Sequence, residues 1–149
     1  DVKLPLRPVK GQYLIVKGLP DLLNCTIRTP DVYIVPRDQG FYYIGATMEE
    51  EGFATHKTAG AALDLLYHTW QIFRGVYEME IIEHGVGFRP ALLDNQPLYD
   101  KTSFENVFIC TGQYRHGVLI APEGARLMLN ILDGTIKVSP FPKSRFYER

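Results

Sequence analysis

Cysteine is nearly missing from this chain: Cys25 and Cys110 are the only two among 149 residues. Two cysteines make no disulfide framework, and each lies in an apolar or alternating strand-like segment, which predicts two buried free thiols in a reducing compartment. Excess charge is missing as well. Sixteen Lys and Arg oppose 17 Asp and Glu, leaving a net charge of -1 with no long basic run, which disfavours nucleic acid and anionic membrane surfaces as partners. No stretch approaches the roughly 20 apolar residues of a membrane span, and Asp1-Val2-Lys3-Leu4-Pro5 lacks the form of a secretory leader. A cytoplasmic protein without a membrane segment is the expectation. The four histidines, His56, His68, His84 and His116, have no spacing that gathers ligands on one face, so no metal is expected. A dinucleotide-binding G-x-G-x-x-G turn is also lacking. Gly85-Val86-Gly87 comes nearest, but the Pro90 that follows would disrupt the helix such a turn must open.

What is present is an ordinary globular composition, 46% apolar and 22% charged, in a chain long enough for a real core. Gln12 to Lys17, Asn24 to Thr29, Val32 to Arg37 and Phe41 to Met48 read as strands, the last two joined by a hairpin across Asp38-Gln39-Gly40. From about His56 to Phe73, with Thr55 as N-cap, the residues Ala59, Ala62, Leu63, Leu66, Trp70 and Phe73 share a helical face. This helix is expected to cover one face of the sheet, with Trp70 and Phe73 in the core. Tyr77 to Phe88 reads as a further strand whose glycines let something approach closely, and Ala91 to Glu105 as a polar crossover. Val107 to Thr111 returns as a strand. A helix from about Pro122 to Leu132 follows, burying Leu127, Met128, Ile131 and Leu132. The fold class is α+β, a mostly antiparallel sheet covered by a helix.

Two segments carry the chemistry: Gly87-Phe88-Arg89-Pro90 and Thr111-Gly112-Gln113-Tyr114-Arg115-His116-Gly117-Val118-Leu119. A strand, a glycine-rich turn and a helix make a docking place for a ligand. Both arginines lie beside residues that fix backbone shape, Pro90 and Gly117, and two fixed guanidinium groups suit a carboxylate.

At these segments the chain resembles the flavin-dependent amine oxidases of the D-amino-acid oxidase and glycine oxidase group, most of all the glycine oxidase of thiamine biosynthesis. The likeness continues through Arg7-Pro8-Val9-Lys10-Gly11-Gln12, Val32-Tyr33-Ile34-Val35-Pro36, Tyr43-Ile44-Gly45-Ala46-Thr47 and Arg145-Phe146. It implies FAD as cofactor. By the same resemblance, Arg89 anchors the substrate carboxylate, Tyr33 adds a hydrogen bond to it and Arg115 approaches from the flavin side. Gly112, Gln113, Tyr114, Arg115, His116, Gly117, Val118 and Leu119 would lie along the flavin, their amides stabilising negative charge on its ring. Gln113 departs from the histidine that the resemblance leads one to expect at its place, so no titrating group stands there.

The resemblance further implies that residues 1–106 form a substrate-binding domain and that residues 107–149 complete the FAD domain. With no dinucleotide turn, the chain reads as the second part of a flavoenzyme whose N-terminal half is absent, and it is expected to be inactive alone. The implied reaction of the parent is oxidation of glycine, or a similar small amine, to the imino acid by hydride transfer to flavin, with O2 reduced to H2O2. Relatives acting on sarcosine or D-amino acids, and dehydrogenases that bypass oxygen, share the frame. A non-catalytic substrate-binding and assembly module is the alternative from another class. The strand Val107 to Thr111, without sheet neighbours, predicts self-association into a homo-oligomer.

Overall fold

Along the first strand Lys10, Gln12, Leu14 and Val16 alternate with Gly11, Tyr13, Ile15 and Lys17, so one face of any sheet it joins receives two polar residues before two apolar ones. The computed structural model describes residues 3–147. It shows strands β1 (Arg7–Lys17), β2 (Ile27–Arg28), β3 (Tyr33–Pro36), β4 (Phe41–Gly45), β5 (Glu80–Ala91), β6 (Leu98–Lys101) and β7 (Phe108–Thr111), and helices α1 (Ala59–Ile72) and α2 (Gly117–Leu132). The chain divides into two compact units. One is Lys10–Phe88; the other joins the residues before Lys10 to those from Arg89 onward.

The first unit is built on a five-stranded sheet in the order β2-β3-β4-β1-β5. β4 runs antiparallel to both β1 and β3. The expected hairpin across Asp38–Gly40 is present as a single 3-10 turn, with Gln39 and Gly40 at φ 59 and 77. Leu14, Val16, Val32, Ile34, Tyr42 and Ile44 form its core with Leu65 of α1 and Val76. The antiparallel α+β architecture expected from the sequence is thus the one observed.

Gln12 and Lys10, both fully buried, explain where α1 begins. Gln12 Oε1 accepts from the Thr58 backbone N–H at 2.9 Å, and its Nε2 donates to the Glu49 carboxylate at 2.8 Å. Thr58 Oγ1 in turn accepts from Ala61 N, capping the helix. Lys10 Nζ lies 3.0 Å from Glu49 and 2.8 Å from Glu51. Gln12→Leu would leave the Thr58 N–H without its partner and take one of the donors from the Glu49 carboxylate, which keeps Thr47 and Lys10, and should cost about 1–3 kcal/mol. An unchanged urea midpoint would contradict it.

The second unit has its own core, Tyr99, Leu127 and Ile131, packed by Phe108, Met128, Ile136 and Phe141. β6 and β7 pair antiparallel, Leu98 opposite Thr111 and Lys101 opposite Phe108. α2 rests on β6 where Gly124 leaves room for Tyr99: a Cβ at 124 would lie 2.5 Å from its hydroxyl. Arg145 fastens the 3-10 turn Lys143–Phe146 to the 94–97 loop, donating to Asp94 at 2.7 Å and to the carbonyls of Gln96 and Pro97 at 3.2 and 2.9 Å.

Several expectations are corrected. Both cysteines are exposed: Cys110 faces outward from a two-stranded sheet rather than from the centre of a larger one. Trp70 and Leu63 are not core but 39% and 67% exposed. The helix starts at Ala59, capped by Thr58 rather than Thr55, and buries Ala61, Leu65 and Thr69, about one position round from the face the apolar residues suggest. Trp70, Leu63, Tyr67, Tyr77 and Ile81 instead line an open apolar groove of about 460 Å³. Asn24 to Thr29 yields only the two-residue β2, and the polar stretch after Ala91 contains β6. β4 stops at Gly45 rather than Met48, and β5 starts at Glu80 because a 3-10 turn occupies Arg74–Glu78. Leu132 is 51% exposed. α2 starts at Gly117, five residues before Pro122, whose ring deletes only the bond that its nitrogen would give Val118.

Candidate functional site

The turn after β7 is shaped by its backbone. Gly112 is buried with φ 76, in the left-handed region that glycine enters without steric cost. A Cβ there would collide with the Leu92 methyl and lie 3.3 Å from the Gln96 carbonyl oxygen. Tyr114 also has positive φ, 48, and its N–H donates to the Pro90 carbonyl at 3.1 Å. The two segments singled out in the sequence are therefore brought together, the Arg89-Pro90 end of β5 tied by its backbone to the turn that carries Arg115. Gln113 Nε2 reaches Cys110 Sγ at 3.3 Å, so Gln113 is directed back to β7.

α2 opens immediately beyond. His116 is its N-cap residue, with a non-extended backbone and no side-chain cap, and its carbonyl accepts the first bond of the helix, from Ile120 N–H at 3.0 Å. Val118 and Leu119 in the first turn are 94% and 79% exposed. Arg115 and His116 are exposed too, while Arg89 and Tyr114 are half-buried. An uncapped helix start presents N–H donors and the positive end of the helix dipole, flanked here by bare apolar side chains. That combination suits a flat, electron-rich group better than water alone.

Tyr33 belongs to the other unit, half-buried on β3 opposite Gly45 of β4. Sequence reasoning missed the residues that brace that unit. Lys10 and Gln12 occupy core-facing positions of an alternating strand, and two polar residues in line with Leu14 and Val16 were the available signal. Tyr13, stacked on Tyr43 at 4.7 Å with its hydroxyl donating to Glu83 at 2.8 Å, had none beyond β propensity. Among the described residues no cluster of metal-ligating side chains forms, and no helix is long and apolar enough to cross a membrane.

Two titrating groups of this unit give it a pH dependence. Burial and the nearby Lys57 charge hold the His84 imidazole below its ordinary 6.5, with Glu49 opposing; its Nε2 is enclosed without a hydrogen-bond partner. Burial raises the Glu49 carboxyl, but bonds from Thr47, Lys10 and Gln12 with the Lys10 charge outweigh it and hold the group below 4.5. Both folded values are depressed, so the unfolded chain takes up protons first and stability falls as pH drops, below about 6.5 for His84 and below about 4.5 for Glu49. His84→Gln should flatten the loss between pH 7.5 and 5.5 and leave the lower one. Identical urea midpoint profiles for variant and wild type would refute the His84 assignment.

The chain is similar to known proteins in both sequence and fold. A bifunctional protein ThiO/ThiG of Nostoc sp. is 34% identical over 133 residues, 87% of this chain and 20% of that protein. The glycine oxidase of Pseudomonas aeruginosa is 30% identical over 134 residues, 89% of this chain and 37% of its own. The chain thus spans well under half the length of these relatives. Among solved structures, glycine oxidase from Geobacillus kaustophilus superposes with a TM-score of 0.85 at 26% identity, covering 97% of this chain and 40% of that one. L-proline dehydrogenase from P. horikoshii matches equally well, TM-score 0.85 over 99% of this chain and 42% of that one, at 17% identity, which shows a shared fold. Residues 1–131 match the family model described as FAD dependent oxidoreductase, and with most of the chain inside that match, the protein belongs to that FAD-dependent family.

Proposed function

We propose that the parent protein oxidises glycine, or a similar small amine, to the imino acid, and that it serves thiamine biosynthesis. The observation that carries this reading is the backbone tie between Pro90 and Tyr114, which joins the Arg89-Pro90 end of β5 to the Arg115 turn within one unit. Arg89 would hold the carboxylate by paired charge-assisted hydrogen bonds and so fix the plane of the substrate as well as its position. Tyr33 would add one hydrogen bond and Arg115 a second positive charge.

The residues of the turn suit FAD. The Gly112 notch, the uncapped first turn of α2 and the exposed Val118 and Leu119 support Gly112 to Leu119, with Gln113, Tyr114, Arg115, His116 and Gly117 between, as the stretch that would lie along its ring. When bound, FAD supplies the hydride acceptor and passes the electrons to oxygen. The chain's own part is orientation: a carboxylate held by a rigid arginine presents the α-carbon in one direction, and proximity of this kind is a large share of catalysis. We place residues 107–149 with the flavin-binding domain of the parent and residues 1–106 with its substrate domain, the remaining half of the flavin domain being supplied by the rest of the parent. The 149-residue chain alone is then a substrate-binding and assembly unit without turnover, in a cytoplasmic enzyme. Oxygen uptake with stoichiometric hydrogen peroxide on adding glycine to the full-length protein tests the oxidase. Glycine oxidation seen only with a quinone or dye acceptor would make it a dehydrogenase, and turnover of sarcosine or a D-amino acid but not glycine would move the substrate.

Homo-oligomer formation is part of the same proposal. No strand among the described residues covers the outer edge of β7, and an unpaired edge favours a further strand. Sedimentation of the 149-residue chain should show species larger than monomer as concentration rises; a strict monomer throughout would count against it.

A further inference from the structure

Three tyrosines share the face of the five-stranded sheet opposite its core. Tyr33 on β3 and Tyr13 on β1 both stand opposite Gly45 of β4, and Tyr43, two residues before Gly45, stacks diagonally on each, at 6.1 Å and 9° from Tyr33 and at 4.7 Å and 23° from Tyr13. Each outer ring lies across a glycine of the neighbouring strand. A Cβ on Gly85 would come 2.6 Å from Tyr13 Cε2, and one on Gly45 would come 2.5 Å from Tyr33 Cζ and still closer to its hydroxyl. Both phenols are thus laid into notches that only glycine leaves open. Their hydroxyls differ. That of Tyr13 is used, donating to Glu83 at 2.8 Å, whereas among the described residues none hydrogen-bonds the Tyr33 hydroxyl.

We propose that Gly45 and Tyr43 are positioning residues for Tyr33, fixing its phenol so that the unused hydroxyl is held in place for the substrate carboxylate. The inference rests on Tyr33 as a carboxylate contact, the reading given above, and adds two residues that act only through it. Gly45 contributes the absence of a side chain, and Tyr43 contributes a flat wall that keeps the ring from turning away. A ring free to swing would pay the ordering cost on binding, so the affinity contributed by its hydroxyl depends on this restraint.

The test uses the full-length flavoprotein, with acetate as a carboxylate that cannot be oxidised, its binding followed by perturbation of the visible spectrum. Tyr33→Phe should weaken acetate roughly tenfold, the usual scale for one hydrogen bond to a charged group. Gly45→Ala and Tyr43→Leu should each weaken it several-fold, raising the glycine KM more than they lower kcat, and neither should weaken it further in the Tyr33→Phe background. Tyr43→Leu adds no atom to the glycine notch, so it keeps the idea testable if Gly45→Ala does not fold, and flavin content with circular dichroism reports folding of every variant. Effects that simply multiply with Tyr33→Phe, or unchanged acetate binding in both positioning variants, would overturn the proposal while leaving Tyr33 its role. Unchanged binding in Tyr33→Phe alone would remove that role and the inference with it.

Discussion

Arg89→Ala in the full-length protein should weaken binding of glycine and of simple carboxylates by about 2–5 kcal/mol, the cost of taking one partner from a buried, hydrogen-bonded charge pair. That corresponds to roughly thirtyfold to several-thousandfold in affinity. The size of the effect follows from where Arg89 is held. It is half-buried near the end of β5, followed by Pro90, whose carbonyl accepts the Tyr114 N–H, so the backbone that carries the guanidinium is fixed on its C-terminal side. Arg89→Lys should recover only part of the loss, because an ammonium keeps the charge but not the planar fork. A glycine KM unchanged by Arg89→Ala would remove Arg89 from the substrate.

Gly112→Ala should be nearly as damaging, and by another route. The new methyl would be forced into a left-handed backbone at φ 76 and against the buried Leu92. Strain and overpacking together are expected to cost on the order of 2–4 kcal/mol. Relief would require the turn to move off Leu92, which displaces Tyr114 and the start of α2. In the full-length protein the variant should therefore lose flavin as well as stability, whereas Gly134→Ala, also at positive φ but with nothing within 4 Å of its Cβ, should lose only a little stability. Flavin retention and a melting temperature equal to wild type in Gly112→Ala would contradict the close-approach role of this turn.

How much of this was legible follows the physics of each segment. The strands β1, β3 and β4 and their hairpin were readable, because alternation and the Asp38-Gln39-Gly40 turn are local signals. The start of α1 was not. Thr55 and Thr58 are equally good caps on local grounds, and the choice is made by Gln12, more than forty residues away in sequence. Trp70 misled because size and apolarity predict burial only on average; the helix turns its Ala61, Leu65 and Thr69 side to the sheet and leaves Trp70 in the groove. The cysteines mislead for a related reason: the apolar sequence of β7 suggests burial while Cys110 lies on a two-stranded sheet, and Cys25 precedes the short β2 instead of lying within a strand. At the candidate site, Gly112 and the two arginines were visible as a motif, but the bond from Tyr114 to Pro90 and the Leu92 floor beneath Gly112 are tertiary facts with no local signature. The tyrosine stack on the sheet is invisible in the same way, because its register is set by three strands at once.

The proposal that the complete protein holds FAD and delivers electrons to it from glycine is tested by the visible spectrum of the full-length protein before and after anaerobic addition of glycine. A flavin spectrum that bleaches is the predicted result; a protein purified without flavin, or one whose flavin stays oxidised in glycine, would contradict it.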